Sequence, residues 1–408
     1  MFKRFSPYRT YLIFSLTTAM FFSLVFTASM VYQIDKVGLN ALQLILVGTT
    51  LETACFVFEI PTGIVADVYS RRLSIIIGVT LIGMGFILEG SIAKFLAVII
   101  SQLLWGIGYT FISGAVEAWI AEEEKCRDLN KIYLKGSQAE QIGSVIGIIL
   151  SIVLANISIN LPIISGGILF VALAVFLIFF MTENDFTPAA MEELNSFQKM
   201  GHTFKNSLQF IKSKPVLLLL FIVALFYGLS SEGYDRLSTA HFLKDTALPR
   251  LWNLKPVTWF GIFSILGMIL SAIAMQIIIK NLEKKERLQS AAILLVTNIF
   301  YIIFMLAFAL SKDFVFVLIA YLSTNMCRTI KGPIYNAWLN SHIEGSFRAT
   351  VISANGQIDA LGQILGGPII GIIATKFSIS LGIASTAILL LPIIVFYSML
   401  ISWDKRLE

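Results

Sequence analysis

The chain has 408 residues, 57% of them hydrophobic and only 13% charged, with a mean hydropathy of +0.83. That balance excludes a water-soluble globular enzyme and places the chain among multispan membrane proteins. The net charge of +5 reflects Lys and Arg gathered in the loops on one side of a membrane, not a nucleic-acid surface.

A run of about 20 apolar residues crosses the hydrocarbon core, and short polar breaks divide this sequence into twelve such runs. They fall near 10–33, 41–65, 73–90, 95–120, 132–155, 161–181, 215–236, 257–279, 289–310, 314–338, 348–374 and 379–402. The first run is longer than a signal-peptide core and lacks a small-residue cleavage site, so it is expected to remain as a span. Twelve spans put both termini on one side. Lys and Arg are far more numerous in the loops of that side, so the termini are expected in the cytoplasm of a multi-pass cell-membrane protein.

Between 182 and 214 the sequence turns polar, with Glu192, Glu193, Lys199, Lys205, Lys212 and Lys214. The organisation expected is an N-terminal six-helix half over 1–181, a cytoplasmic linker over 182–214, and a C-terminal six-helix half over 215–408. In the linker, Leu194, Phe197, Phe204, Leu208 and Ile211 recur at near-helical spacing, which predicts a helix lying along the membrane surface over 191–213. The halves repeat each other at one constant offset. Ala118-Trp119 matches Ala337-Trp338, Gln138 matches Gln357, Glu140 matches Asp359, Gly143 matches Gly362 and Gly147 matches Gly366. Gly48 and Gly267 keep the same offset. Two parallel repeats of six helices are therefore expected, an all-α membrane fold of two pseudo-symmetric bundles.

Between the second and third spans stands Glu59-Ile-Pro61-Thr-Gly63-Ile-Val-Ala-Asp67-Val68-Tyr-Ser70-Arg71-Arg72. It is read as a charged hairpin loop with Glu59, Gly63, Asp67, Arg71 and Arg72 as gating residues. The run resembles the loop after the second helix of the major facilitator superfamily, Gly-x-x-x-Asp-(Arg/Lys)-x-Gly-(Arg/Lys)-(Arg/Lys), with Val68 in place of a cation and Ser70 in place of glycine. The resemblance implies alternating access and is strongest toward bacterial proton-coupled drug-efflux members of the tetracycline and macrolide type. Many proton-coupled members carry an Arg in the fourth helix before Gly-x-Gly. Here Gln102 precedes Gly106-Ile-Gly108, so coupling through that residue is excluded. Gly362-x-x-x-Gly366-Gly367-Pro368 is expected to form a rocking interface.

Charges kept inside spans are functional candidates, because each costs at least ~2.5–3.5 kcal/mol at a helix centre. In chain order they are Glu52, Glu117, Glu140, Arg328, Lys331 and Asp359. Two readings of Glu52 stay open, a proton carrier and a static ion pair with Arg328. Glu140 and Asp359 occupy matching places in the repeat and are expected at a gate. Glu117 precedes the acidic run Glu122-Glu123-Glu124 and reads as a solvated helix end or a gate ion pair. Glu232, Asp235 and Arg236 are read as closing the outer end of the seventh span. Tyr32, Trp105, Tyr109, Tyr227, Tyr321 and Tyr335 are the aromatic candidates for lining a substrate cavity.

No nucleotide-binding loop and no catalytic or metal-ligand spacing appears, so neither an enzyme nor a cofactor is expected. Cys55, Cys126 and Cys327 read as packing residues, and His202, His241 and His342 as loop residues. The expected function is secondary active transport, proton-coupled antiport exporting small lipophilic or cationic compounds, as in antibiotic resistance. The alternatives are a proton-coupled carrier of a defined metabolite and a membrane sensor that moves nothing. The expected partners are a small-molecule substrate, protons and the bilayer, with the protein a monomer.

Overall fold

The computed structural model describes residues 5–125, 128–188, 214–246, 248–249, 254–282, 288–343 and 348–407, and among these it is helical with no strand. The elements are α1 (Pro7–Val31) continued by a π-helical turn (Tyr32–Lys36), α2 (Ala41–Val68), α3 (Arg71–Ser91), α4 (Phe95–Ile112), α5 (Ala115–Glu123), α6 (Leu129–Ile157) and α7 (Leu161–Phe180). After residue 213 follow α8 (Pro215–Lys244), α9 (Pro256–Leu282), α10 (Leu288–Leu310), α11 (Phe314–Ser341), α12 (Arg348–Lys376), α13 (Ile379–Leu389) and α14 (Leu391–Leu407). α4 and α5 share one span, as do α13 and α14, which leaves twelve spans. Eleven of them are long and apolar enough to cross a membrane by composition alone. The surface helix expected over 191–213 lies outside the described residues.

Local chemistry sets the ends of these helices. Ser6, Ser70, Asp128, Asp313 and Ser378 each accept a backbone N–H of the first turn, and Pro7 and Pro215 stand at helix starts where a missing N–H costs nothing. The fourth span is broken where Gly114 takes a left-handed backbone, φ +74, a conformation that suits glycine.

The chain divides into two compact units: Met1–Leu39 with Thr50–Leu194 and Leu254–Ile262, and Asn40–Thr49 with Asn195–Asn253 and Phe263–Glu408. In the first unit Phe21, Phe86 and Phe170 form the aromatic centre of a core that includes Val25, Val79 and Ile163. Glycine seams bring backbones together within each unit. A Cβ on Gly143 or Gly147 of α6 would stand 2.1 Å from the carbonyl oxygens of Leu16 and Met20 in α1. In the second unit a Cβ on Gly362 or Gly366 would stand 2.5 and 2.2 Å from the carbonyl oxygens of Leu225 and Leu229 in α8. The seam at Gly362 and Gly366, read from the sequence as a rocking interface, is thus an internal joint of one unit. Gly367 and Gly371 face Ile45 and Leu42 on the first turns of α2.

These contacts make the glycines unequal. Gly147→Ala and Gly366→Ala are each expected to cost about 1–3 kcal/mol through forced backbone shifts. At Gly63 a Cβ would meet nothing within 4 Å, so alanine should be tolerated there with a gain of up to about 1 kcal/mol from helix propensity. Thermal unfolding in detergent measures all three. Parent-like melting of Gly147→Ala would show that the seam between α1 and α6 yields freely.

Candidate functional site

The segment read as a hairpin loop is mostly helix. α2 continues through Pro61, Gly63 and Asp67 to Val68, leaving only Tyr69 and Ser70 between it and α3. Ser70 departs from the family pattern because it caps α3, accepting the N–H of Leu73 at 2.9 Å. Glu183 sits on the same helix start, accepting from Ser70 Oγ at 2.5 Å and from the Arg72 N–H at 3.0 Å, where a carboxylate meets the positive end of the helix dipole. Arg71 reaches Glu122 Oε1 at 3.0 Å and Asp67 Oδ1 at 3.7 Å. Arg72 donates to the carbonyl of Ile178 at 2.5 Å. Glu59 is exposed on α2, one turn before Gly63.

The segment after α7 joins this cluster. Glu123 accepts the N–H groups of Asn184 at 2.6 Å and Asp185 at 2.9 Å, and the Trp119 indole donates to the carbonyl of Thr182 at 2.7 Å. Glu122 and Glu123, passed over in the sequence as part of an acidic run, are therefore bonded members of the cluster.

A cavity of about 320 Å³ in the first unit is lined by Tyr11, Ser15, Tyr109, Glu117 and Glu140 among others. It brings together Glu117 and Glu140, which the sequence treated separately, and it uses Tyr109. Trp105 instead packs in an aromatic group with Phe22, Phe26 and Phe86. Tyr32 is buried and donates its hydroxyl to the carbonyl of Glu89 at 2.7 Å. Neither lines this cavity.

Glu89 is the acid that sequence reasoning missed. It lies two residues before the end of α3 and is 0% exposed. Its Oε1 accepts from Gln33 Nε2 at 2.8 Å and Ser29 Oγ at 3.1 Å, and its Oε2 from Ser101 Oγ at 3.1 Å and Gln102 Nε2 at 3.3 Å. The available signal was an acid inside an apolar span. It stands near the end of its span, where an acid is ordinary.

The second unit encloses a larger and more polar cavity, about 420 Å³, lined by α8, α10, α11 and α12. Asp235, Arg328, Lys331, Tyr227, Tyr335 and Asp359 meet here. Arg328 engages both oxygens of Asp235, with Nη2 at 2.8 Å from Oδ2. The sequence had weighed Glu52 as the acid for Arg328; the bidentate partner is Asp235. One turn along α11, Lys331 Nζ lies 3.4 Å from the ring centre of Tyr227 and 4.7 Å from that of Tyr301. Asp359 accepts from Gln363 Nε2 at 2.8 Å. The Tyr335 hydroxyl lies 2.8 Å from Asn355 Oδ1. Ser231, Tyr301, Asn336 and Asn355 complete the polar lining and were not singled out in the sequence. Tyr321 is absent from that lining; it stacks on Tyr234 and packs against the rings of Phe242, edge-on, and Phe308.

The outer-helix cluster also needs correction. α8 runs eight residues beyond Arg236, to Lys244, so Glu232, Asp235 and Arg236 lie in the body of the helix. Glu232 is buried and pairs with Arg236 Nε at 3.3 Å. Gly48 makes room for that pair, since a Cβ there would stand 1.7 Å from Glu232 Oε2. His241 is a buried helical residue bonded to Asp245 at 2.9 Å, not a loop residue. Cys55 and Cys327 are free thiols; Cys126 and His202 lie outside the described residues.

A chain with twelve helical spans, a repeated six-helix plan and polar cavities set among apolar helices has the build of a membrane transporter. Residues 10–358 match the model of the Major Facilitator Superfamily, and the chain belongs to that family. It is similar over 372 residues, at 26% identity, to YxaM of Bacillus subtilis (strain 168), described as an uncharacterized MFS-type transporter, with 90% of this chain and 89% of that one covered. Its fold resembles a mutant of the nucleoside transporter NupG (TM-score 0.76, 15% identity, 98% of each chain covered). It also resembles a POT family transporter in complex with 5-aminolevulinic acid (0.76, 11% identity, 98% of this chain and 96% of that one).

The Asp235–Arg328 pair faces the cavity, with side-chain exposures of 40% and 29%, so each charge keeps part of its solvation. Asp235→Asn is expected to destabilise the protein by about 1–3 kcal/mol by leaving the guanidinium without its bidentate acceptor. Arg328→Gln in the same chain should restore most of the loss. Thermal unfolding of the two single variants and the double variant reads the coupling.

Proposed function

We infer that this transporter is a secondary active carrier whose second-unit cavity takes a small polar solute bearing an anionic group, with movement driven by the proton gradient. The observation that carries this reading is Lys331. Arg328 is neutralised by Asp235, whereas Lys331 rests on the faces of Tyr227 and Tyr301 and makes no ion pair among the described residues. A carboxylate or phosphate entering the cavity would find that ammonium in place, with Asn336, Asn355 and Ser231 for further hydrogen bonds. The proton gradient supplies about 2.3 kcal/mol per charge for each ~100 mV.

The efflux reading has its own support. The first-unit cavity holds two carboxylates, Glu117 and Glu140, beside the Tyr109 ring, a combination suited to an organic cation. In either reading the Asp67, Arg71 and Glu122 cluster gates alternating access, since such contacts bias a two-state equilibrium by a few kcal/mol. This reading keeps cytoplasmic termini, supported by the Lys and Arg bias of the loops, takes Glu52 and Asp359 as further acids for proton exchange, and takes the protein as a monomer without a cofactor.

Proteoliposomes holding the purified protein and given an imposed pH gradient test this with a panel of anionic, zwitterionic, neutral and cationic solutes. Anionic solutes should move in the wild type, and Lys331→Gln should raise their KM about 10- to 100-fold, the loss of one charge-assisted contact. Movement of organic cations alone, unaffected by Lys331→Gln and abolished by Glu117→Gln, would instead establish the efflux reading.

A second measurement addresses the gate. Asp67→Asn is expected to abolish transport of whichever solute is found, at unchanged membrane level. Full transport at equal expression would remove the cluster from the gate.

A further inference from the structure

The carboxylate of Glu89 is enclosed where α1, α3 and α4 meet, and the groups that hold it have a common property. Ser29, Gln33, Ser101 and Gln102 all donate to it, and none of the four carries a charge. Each can also accept: a serine hydroxyl by rotating, a glutamine amide by turning over so that its oxygen replaces its nitrogen. A carboxylate held permanently ionised is better served by groups that only donate, such as Arg, Lys or backbone N–H. This shell fits a carboxylate and a carboxylic acid equally.

A second observation points the same way. With their nitrogens turned to Glu89, Gln33 and Gln102 leave both amide oxygens, Gln33 Oε1 and Gln102 Oε1, buried without a hydrogen-bond partner. These are the acceptors that a protonated Glu89 would need, and a half-turn of either amide presents one to it. Gln33 is held in place by the π-helical turn Tyr32–Lys36, an irregularity of a kind frequent at functional sites.

We propose that Glu89 is a proton-binding site of the first unit, in which taking up and releasing a proton is accompanied by turning of the Gln33 and Gln102 amides. On uptake, a proton from water bonds to a carboxylate oxygen, the charge falls from minus one to zero, and the new O–H donates to a glutamine oxygen or a serine hydroxyl. Release reverses both steps. Among the described residues, a titratable side chain near Glu89 is Tyr32 of the π-helical turn, whose hydroxyl donates to the Glu89 carbonyl. Asp35, Lys36 and Lys94 are exposed, and Asn160, which bonds the carbonyl of Gly90 at 3.2 Å, is neutral. The site rests on the proton-driven reading of transport and gives it a residue outside both cavities.

Infrared difference spectra of the wild-type protein in nanodiscs, recorded as pH is lowered, test the proton-binding step without any solute. The expected result is a carboxylic-acid carbonyl band, shifted in heavy water, that is missing from Glu89→Gln. Identical spectra for the two proteins overturn the proposal. Should Glu89→Gln fail to fold, the wild type is treated with a carbodiimide that attacks protonated carboxyls, and peptides are mapped by mass spectrometry. An adduct on Glu89 that forms in acid and not in alkali supports the site, and no adduct at any pH at which the protein stays folded overturns it. In proteoliposomes, solute accumulation by Glu89→Gln should lose its response to an imposed gradient, about tenfold per proton for a gradient of about one pH unit. An intact response overturns the coupling. If no solute moves even in the wild type, the transport reading fails while the spectra still decide the role of Glu89.

Discussion

Placing ionisable groups among apolar helices without leaving their polar atoms unmet is the constraint on which this structure depends, because each such group costs several kcal/mol unless a partner meets it. The protein answers in three ways. Asp235 and Arg328 neutralise each other through a bidentate pair. Lys331 is set against the electron-rich faces of Tyr227 and Tyr301, a cation–π arrangement that keeps the ammonium available. Glu89 is wrapped in neutral hydrogen-bond donors. The three solutions differ in what surrounds the charge: an opposite charge, aromatic faces, and neutral hydrogen-bonding side chains.

These arrangements need helices that come very close, and the glycine seams supply that. With no side chain at Gly143 and Gly147, α6 lies against the backbone of α1; at Gly362 and Gly366, α12 lies against α8. Each seam fixes a close pair of helices, and acids of the two cavities are carried on those pairs. Asp359, three residues before Gly362, is held in the second-unit cavity by this joint. Glu140, three residues before Gly143, is held in the first-unit cavity in the same way. The sequence repeat is thus the imprint of one packing device used twice.

What was legible in the sequence follows from how far apart the interacting residues lie along it. The twelve spans and the six-plus-six plan could be read because hydropathy and the matched glycines are properties of continuous segments. Asp67 and Arg71 are four residues apart, and their pairing across a two-residue turn was readable too. The helical state of Gly63 and Asp67 was not, because a motif with charges and a proline looks like a loop, while Pro61 here is carried within α2. Glu89 draws its four donors from α1, the π-helical turn and α4, and no local pattern records such a convergence. Gln102 appeared only as the absence of an expected Arg; in the structure it is a ligand of the buried acid. Asp235 as the partner of Arg328 was not legible either, and the Glu52 pairing was one of two readings left open, since depth along a span says nothing of which helices face each other.

The four residues from Thr182 to Asp185, just beyond α7, have a mechanical consequence. Thr182 through Asp185 do not leave the first unit as slack chain: Trp119 holds the carbonyl of Thr182, Glu123 holds two successive N–H groups, and Glu183 caps α3. A protein divided into two separately expressed pieces would therefore have to be cut beyond Asp185. A cut at the end of α7 would strip the cap from α3 and loosen the anchor beside Arg71. Tension arriving along the polypeptide from the far side of Asp185 would likewise be felt first at Glu123, at the end of α5, and then at the opening turn of α3, before it reached α7.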